Sequence, residues 1–138
     1  MIEKYQVPAT AFIIASNDNA EKIIKKNASE YISFQSHSYA MHQGGGNMGR
    51  GGIISVMSKD EIVKDLKKAQ EITQNKEAFA YPYGDYTDDA RKAMGEAGIL
   101  CSFTIEYDRV QKGADVTKLP RIRMFGESAL EGFISQVL

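Results

Sequence analysis

The sequence predicts an α/β fold built on a mainly parallel sheet. Short apolar runs alternate with amphipathic helical segments along most of the 138 residues, the pattern that strand–helix–strand units produce. The first run, Val7 to Ile14, is nearly continuously apolar, as suits a strand covered on both faces. Four or five such runs are too few for a closed barrel of this type, which typically has about eight strands. The sheet is therefore expected to be open, or completed by something outside this chain.

The elements follow in order. Ala20 to Lys26 reads as a short helix, and Tyr31 to Ser36 alternates apolar and polar residues as a second strand. After two glycine clusters, Gly44 to Gly46 and Gly49 to Gly52, the clearest helix begins at Ser58. Ser58 and Glu61 have capping-box spacing, and Ile62, Leu66, Ala69 and Ile72 form one stripe. Ala78 to Tyr81 reads as a third strand, stopped by Pro82-Tyr-Gly84 because proline cannot donate to a ladder. A helix from Thr87 to Ala97 has Thr87 as its cap, Asp88 and Asp89 at its positive end, and Gly98 closing it. Leu100 to Ile105 is a fourth strand, Leu119 to Met124 a candidate fifth, and Glu127 to Leu138 a final helix.

Composition excludes several classes of function. Apolar residues are 43% and charged residues 25%, with 17 basic and 18 acidic side chains and a net charge of −1, as in an ordinary globular domain. That balance argues against binding nucleic acid through charge. No apolar run reaches the 18 or more residues of a membrane span, and the N-terminus lacks the pattern of a signal peptide. Cys101 is the single cysteine, so no intrachain disulfide forms. It reads as a buried thiol with no activating base beside it in sequence.

Three motifs could carry chemistry. Both histidines fall in Ser36-His-Ser-Tyr-Ala-Met-His42, between a strand end and a glycine-rich loop. Ends of parallel strands are where α/β folds build sites. Odd spacing puts the two rings on opposite faces of a straight strand, so they converge only if the backbone turns between them. Converged, they suit zinc, cobalt or nickel; otherwise they are polar loop residues. Phe79-Ala-Tyr-Pro-Tyr-Gly84 either presents a backbone N–H to an oxyanion or is a simple tight turn. Gly44-x-Gly46-x-x-Gly49 spells a dinucleotide fingerprint, but it does not join a strand directly to a helix, and a mobile loop near the site fits it better. Asp88 and Asp89 are explained by capping, whereas Asp85 could reach the site.

Together these segments resemble the NodB-homology polysaccharide deacetylases, carbohydrate esterase family 4. The resemblance runs in order through Lys4-Tyr-Gln-Val-Pro-Ala-Thr-Ala-Phe-Ile13, Ser36-His-Ser-Tyr-Ala-Met-His42, Tyr81-Pro-Tyr-Gly84 and Leu119-Pro-Arg-Ile-Arg123. The histidine segment looks like the variant of the poly-N-acetylglucosamine deacetylase branch. The resemblance implies a distorted (β/α) barrel and a divalent metal held by an aspartate and two histidines. Here His37 and His42 would be metal ligands, with zinc the expected ion and cobalt or nickel the alternatives. Tyr83 would supply the backbone N–H to the oxyanion, and Pro82 with Tyr83 would touch substrate. The implied reaction is removal of N-acetyl groups from an amino-sugar polymer or peptidoglycan, at the cell envelope or outside the cell.

The chain departs from the family pattern in three places. The Thr-Phe-Asp-Asp motif, which supplies the metal-ligand aspartate and the base, is not among these residues. Phe79 stands where an arginine often opens the third motif, and no histidine follows His42. Residues 1–138 are therefore expected to be a single deacetylase-like domain, incomplete at its N-terminal side, with weak or no activity of its own. The alternative is a non-catalytic relative that binds glycan or metal. An exposed sheet edge is expected, through which copies would pair.

Overall fold

The computed structural model describes residues 2–125 and 129–137. Its elements are α1 (Ile2–Tyr5), β1 (Ala9–Ile13), α2 (Ala20–Lys26), β2 (Ile32–Ser36), α3 (Lys59–Thr73), β3 (Ala78–Ala80), α4 (Asp88–Glu96), β4 (Cys101–Phe103) and α5 (Leu130–Val137), with 3-10 turns at Ile53–Val56 and Pro82–Gly84. The four strands form one sheet in the order β1-β2-β3-β4, and every pairing is parallel. The α/β class and mainly parallel sheet expected from the sequence are present. α1 is an addition that no periodic signal announced.

The helices form where their caps and apolar stripes dictate. At the start of α3 the Ser58 N–H donates to Glu61 Oε2 at 2.8 Å, and the Ser58 hydroxyl accepts from the Glu61 N–H. Ile62, Leu66 and Ala69 are buried as their spacing predicts, but the stripe ends on Thr73 while Ile72 is half-buried. The Thr73 hydroxyl tolerates this because it donates to the Ala69 carbonyl at 3.2 Å. Thr87 caps α4 by accepting the Ala90 N–H at 3.1 Å, and Gly98 takes φ 76° just past its end. For the final helix, Glu127, Ser128 and Leu138 lie outside the described residues, and α5 spans Leu130–Val137, leaving Ala129 just before it.

The candidate fifth strand is reduced to a single parallel bridge between Phe103 and Leu119. Leu119 donates to the Ser102 carbonyl at 2.8 Å and accepts from the Thr104 N–H at 2.9 Å. Beyond it the ladder loses register, since the Arg121 N–H donates to the Glu106 carbonyl at 2.9 Å where a continuing strand would donate to Thr104, and the segment runs on irregularly. β4 is shorter than expected, with Leu100 70% exposed before it. Cys101 is half-buried instead of buried. Burial and the nearby Glu77 carboxylate push its thiol pKa up, the opposite of what a nucleophile needs.

The two sheet faces differ. In parallel pairing, aligned residues point the same way, so the register places Phe34, Ser36, Phe79 and Ser102 on one side. There Phe79 and Tyr81 pack with Ile62, Leu66, Ala93 and Met94 of α3 and α4 in the main core. The other side carries Phe12, Gln35, Ala80 and Phe103. The Phe12 and Phe103 ring centroids are only 5.7 Å apart. In a flat sheet, β1 and β4 would lie about 14 Å apart at normal strand spacing. The sheet is therefore strongly curled, with the small Ala80 leaving room between the rings. This concave side is an open groove that His37 and Arg121 also line. It has the curvature of a barrel wall, with four of the strands a barrel needs among the described residues.

Candidate functional site

The C-terminal ends of β2 and β3 bring three predicted site residues together. His37 directly follows β2, and its N–H continues the ladder by donating to the Ile13 carbonyl at 2.8 Å. Its Nδ1 lies 2.7 Å from the Ala80 carbonyl oxygen at the end of β3. A carbonyl only accepts, so in the neutral ring the proton sits on Nδ1 and the Nε2 lone pair is free. Burial pulls the His37 pKa down from 6.5 to about 4. The Ala80 acceptor works against that shift, while His42 and Arg121 add to it. At neutral pH the imidazole is uncharged, the form in which it can ligate a metal.

The backbone does turn between the histidines. Ser38 holds φ 79°, a left-handed conformation that costs a non-glycine residue of order 1–3 kcal/mol. The Ser36 hydroxyl accepts the Ser38 N–H at 3.1 Å, and the Ser38 hydroxyl accepts the Met41 N–H at 3.1 Å. Met41 is buried at 1% exposure and anchors the end of the turn. His42 is thereby carried back to His37, with ring centroids 4.9 Å apart. On its other side His42 stacks on Tyr83 at 4.9 Å and an interplanar angle of 24°.

Tyr83 is presented by a strained turn. It has φ 59°, and Gly84 after it has φ 78°. A Cβ at Gly84 would stand 2.5 Å from Ile105 Cγ1, so this corner of the sheet requires glycine. The Gly84 N–H donates to Tyr81 and the Asp85 N–H to Pro82. Among the described residues no acceptor is found for the Tyr83 N–H. Pro82 is buried beside it. Tyr81 is buried, with its hydroxyl donating to the Thr117 carbonyl at 3.0 Å and its pKa pushed up to about 12 by burial.

The glycine-rich stretch is an ordered hairpin, not the loose loop its composition suggests. Gly44 and Gly52 form an antiparallel bridge, Ile53 donates to Gln43 at 2.9 Å and Gly46 to Gly51 at 2.9 Å. Asp85 holds the hairpin tip. Its carboxylate accepts the Arg50 N–H at 2.8 and 3.0 Å and the Gly52 N–H at 2.8 Å. A Cβ at Gly49 would sit 2.6 Å from the Asp85 carboxyl carbon, at φ 60°, so the tip closes only over glycine. Asp85 thus serves the loop and does not approach the histidines as a ligand. Sequence reading placed Asp85 near the site without a role, because its partners are backbone groups far away in the chain. Asp65 was missed altogether. It lies on α3, and its carboxylate accepts the N–H groups of Tyr39 and Ala40 at 2.7 and 2.8 Å.

The donor set suits a metal in part. Two imidazoles converge, and one is oriented by a carbonyl as metal-binding histidines usually are. Among the described residues no group of three or more His, Cys, Asp or Glu side chains is placed around one point. The arrangement can supply two ligands and an unoccupied N–H beside them.

A curled parallel sheet with its functional side chains at the C-terminal strand ends defines an α/β-barrel-type domain with a histidine site. The sequence profile of the polysaccharide deacetylase family matches residues 1–101, and the chain belongs to that family. It is 30% identical to the poly-beta-1,6-N-acetyl-D-glucosamine N-deacetylase of Staphylococcus epidermidis, over 99% of this chain and 52% of that protein. The chain spans about half the length of the curated relatives it matches. The fold is similar to a deacetylase of Streptococcus pyogenes solved with acetate, at a TM-score of 0.74 and 20% identity over 99% of this chain and 62% of that one. It is also similar to a pseudoenzyme of carbohydrate esterase family 4 from Bacillus anthracis, at a TM-score of 0.52 and 26% identity over 73% of this chain and 34% of that one.

Proposed function

We propose that this chain forms part of a metal-dependent deacetylase domain that hydrolyses N-acetyl groups on an N-acetylglucosamine polymer. The observation that carries the reading is the histidine pair. His37 has Nδ1–H committed to Ala80, which leaves Nε2 for an ion, and His42 stands 4.9 Å away between that ring and Tyr83. Zinc is the expected ion, with cobalt or nickel as alternatives, and a third protein ligand has to come from outside the described residues. When bound, such an ion polarises the acetamide carbonyl and lowers the pKa of water. The chain's own residues position the reactants. His37 and His42 offer nitrogen donors, the Tyr83 N–H faces the oxyanion, and the Tyr83 ring borders the bound sugar. Water adds across the amide bond, acetate leaves and a free amine remains on the polymer.

A second reading, a relative that binds glycan or metal without turnover, is favoured by one observation. Two carboxylates that bind the histidine segment and the following hairpin are both occupied with backbone N–H groups, Asp65 on the turn and Asp85 on the hairpin. Neither is free to act as general base. Zinc titration of the chain, with His37→Ala and His42→Ala beside it, tests the site. Binding in the parent that each variant abolishes supports it, and equal behaviour of all three refutes it. Metal-dependent release of acetate from acetylated poly-N-acetylglucosamine separates the readings. This chain alone is expected to give little or none.

A further inference from the structure

The turn that joins the two histidines is held on both sides: its Ser38 and Tyr39 carbonyls accept the Ala15 and Ser16 N–H groups at 2.9 and 3.1 Å, and its own N–H groups all go to side chains. The N–H groups of residues 38–41 donate in order to Ser36 Oγ, Asp65 Oδ1, Asp65 Oδ2 and Ser38 Oγ. The two serines belong to the turn itself. Asp65 alone among these acceptors comes from another element, the middle of α3, where the neighbouring Leu66 is buried in the core. Lys68, nearly one turn further along α3, lies 3.8 Å over the Tyr39 ring and grips the same segment.

We infer that Asp65 is a positioning residue for the histidine pair, its carboxylate bridging the Tyr39 and Ala40 N–H groups so that His37 and His42 converge. The inference rests on reading those histidines as metal ligands. A carboxylate fits the task because both oxygens accept, so two consecutive amides bind one rigid group through charge-assisted bonds. An asparagine of the same shape does not fit, since its NH2 faces a backbone N–H, donor against donor. The left-handed Ser38 supplies no restoring preference, because an isolated segment would relax out of that conformation. Ala15 and Ser16 hold only the carbonyl side of the turn; its N–H side is anchored from α3, which its capping box and buried stripe hold in place.

The test compares the parent with Asp65→Asn, Asp65→Ala and Lys68→Met. In the metal-free parent, the Tyr39 and Ala40 amides should exchange slowly with solvent although Ala40 is exposed. A nuclear Overhauser cross-peak should connect the His37 and His42 rings. Both aspartate variants should lose the cross-peak and bind zinc about 10–100-fold more weakly, the usual cost of removing a group that orients a metal ligand. Lys68→Met should keep the cross-peak. Should Asp65→Ala fail to fold, the isosteric Asp65→Asn carries the comparison, and amide exchange in the parent needs no variant. Fast exchange at both amides overturns the inference. So does an Asp65→Asn protein that keeps the cross-peak and binds zinc within twofold of the parent. If the parent takes up no zinc, the metal reading fails, and the cross-peak still decides the role of Asp65.

Discussion

Removing the Asp85 carboxylate should make Gly49→Ala far less harmful than it is in the parent. Asp85 is only 7% exposed and accepts from two hairpin amides. In Asp85→Ala the Arg50 N–H can turn to water because Arg50 is exposed, but the Gly52 N–H is buried and left without its acceptor. A bond to a charged group contributes about 1.5–3 kcal/mol, and a stranded buried donor costs about 1–3 kcal/mol. Asp85→Ala should therefore destabilise by about 2–4 kcal/mol. Gly49→Ala alone pays twice. A left-handed alanine costs about 1–2 kcal/mol, and a Cβ 2.6 Å from the Asp85 carboxyl carbon displaces the carboxylate from at least one bond, another 1.5–3 kcal/mol or so. In the Asp85→Ala background only the backbone cost remains. Urea unfolding of the four proteins should show the double variant about 2 kcal/mol more stable than the sum of the singles. Additivity within about 0.5 kcal/mol, the behaviour of independent sites, would refute the clamp.

The histidine site and the sheet edge give two further expected outcomes. His37 has a pKa lowered from 6.5 to about 4, so between those values the unfolded chain binds the proton that the folded chain rejects. Its contribution is fully present above pH 6.5 and lost as pH falls toward 4, amounting to about 3 kcal/mol at most. In chelator, the stability difference between the parent and His37→Asn should shrink over that window, and a pH-independent difference would sink the assignment. At the sheet edge, β1 pairs only with β2 among the described residues, and open edges recruit other strands. Light scattering should show self-association of the parent that Thr10→Lys, at an exposed β1 position, reduces; a strictly monomeric parent would count against edge pairing.

Local signals predicted the elements well where they were self-sufficient. The Ser58–Glu61 box, the Thr87 cap and Gly98 act within one or two turns of chain, so spacing alone revealed them. The Leu119 to Met124 strand failed because its ladder loses register at Arg121, whose N–H goes to Glu106, a choice of partner that the apolar pattern does not encode. The glycine stretch misled because glycine permits both disorder and tight closure. Its order comes from Asp85, whose bonds reach 33 and 35 residues away.

By itself the sequence determined the family, the parallel α/β layout and the two histidines at a strand end, because each depends on residue type and near-neighbour spacing. Only the tertiary structure decided that the rings meet. Their five-position spacing is wrong for a straight strand, and convergence needs a left-handed Ser38, a carbonyl from β3 on His37 and a carboxylate from α3 across the turn. Ala80 and Asp65 are distant in sequence from the histidines, and the Ala80 group is a backbone carbonyl, which carries no residue-specific signal to read.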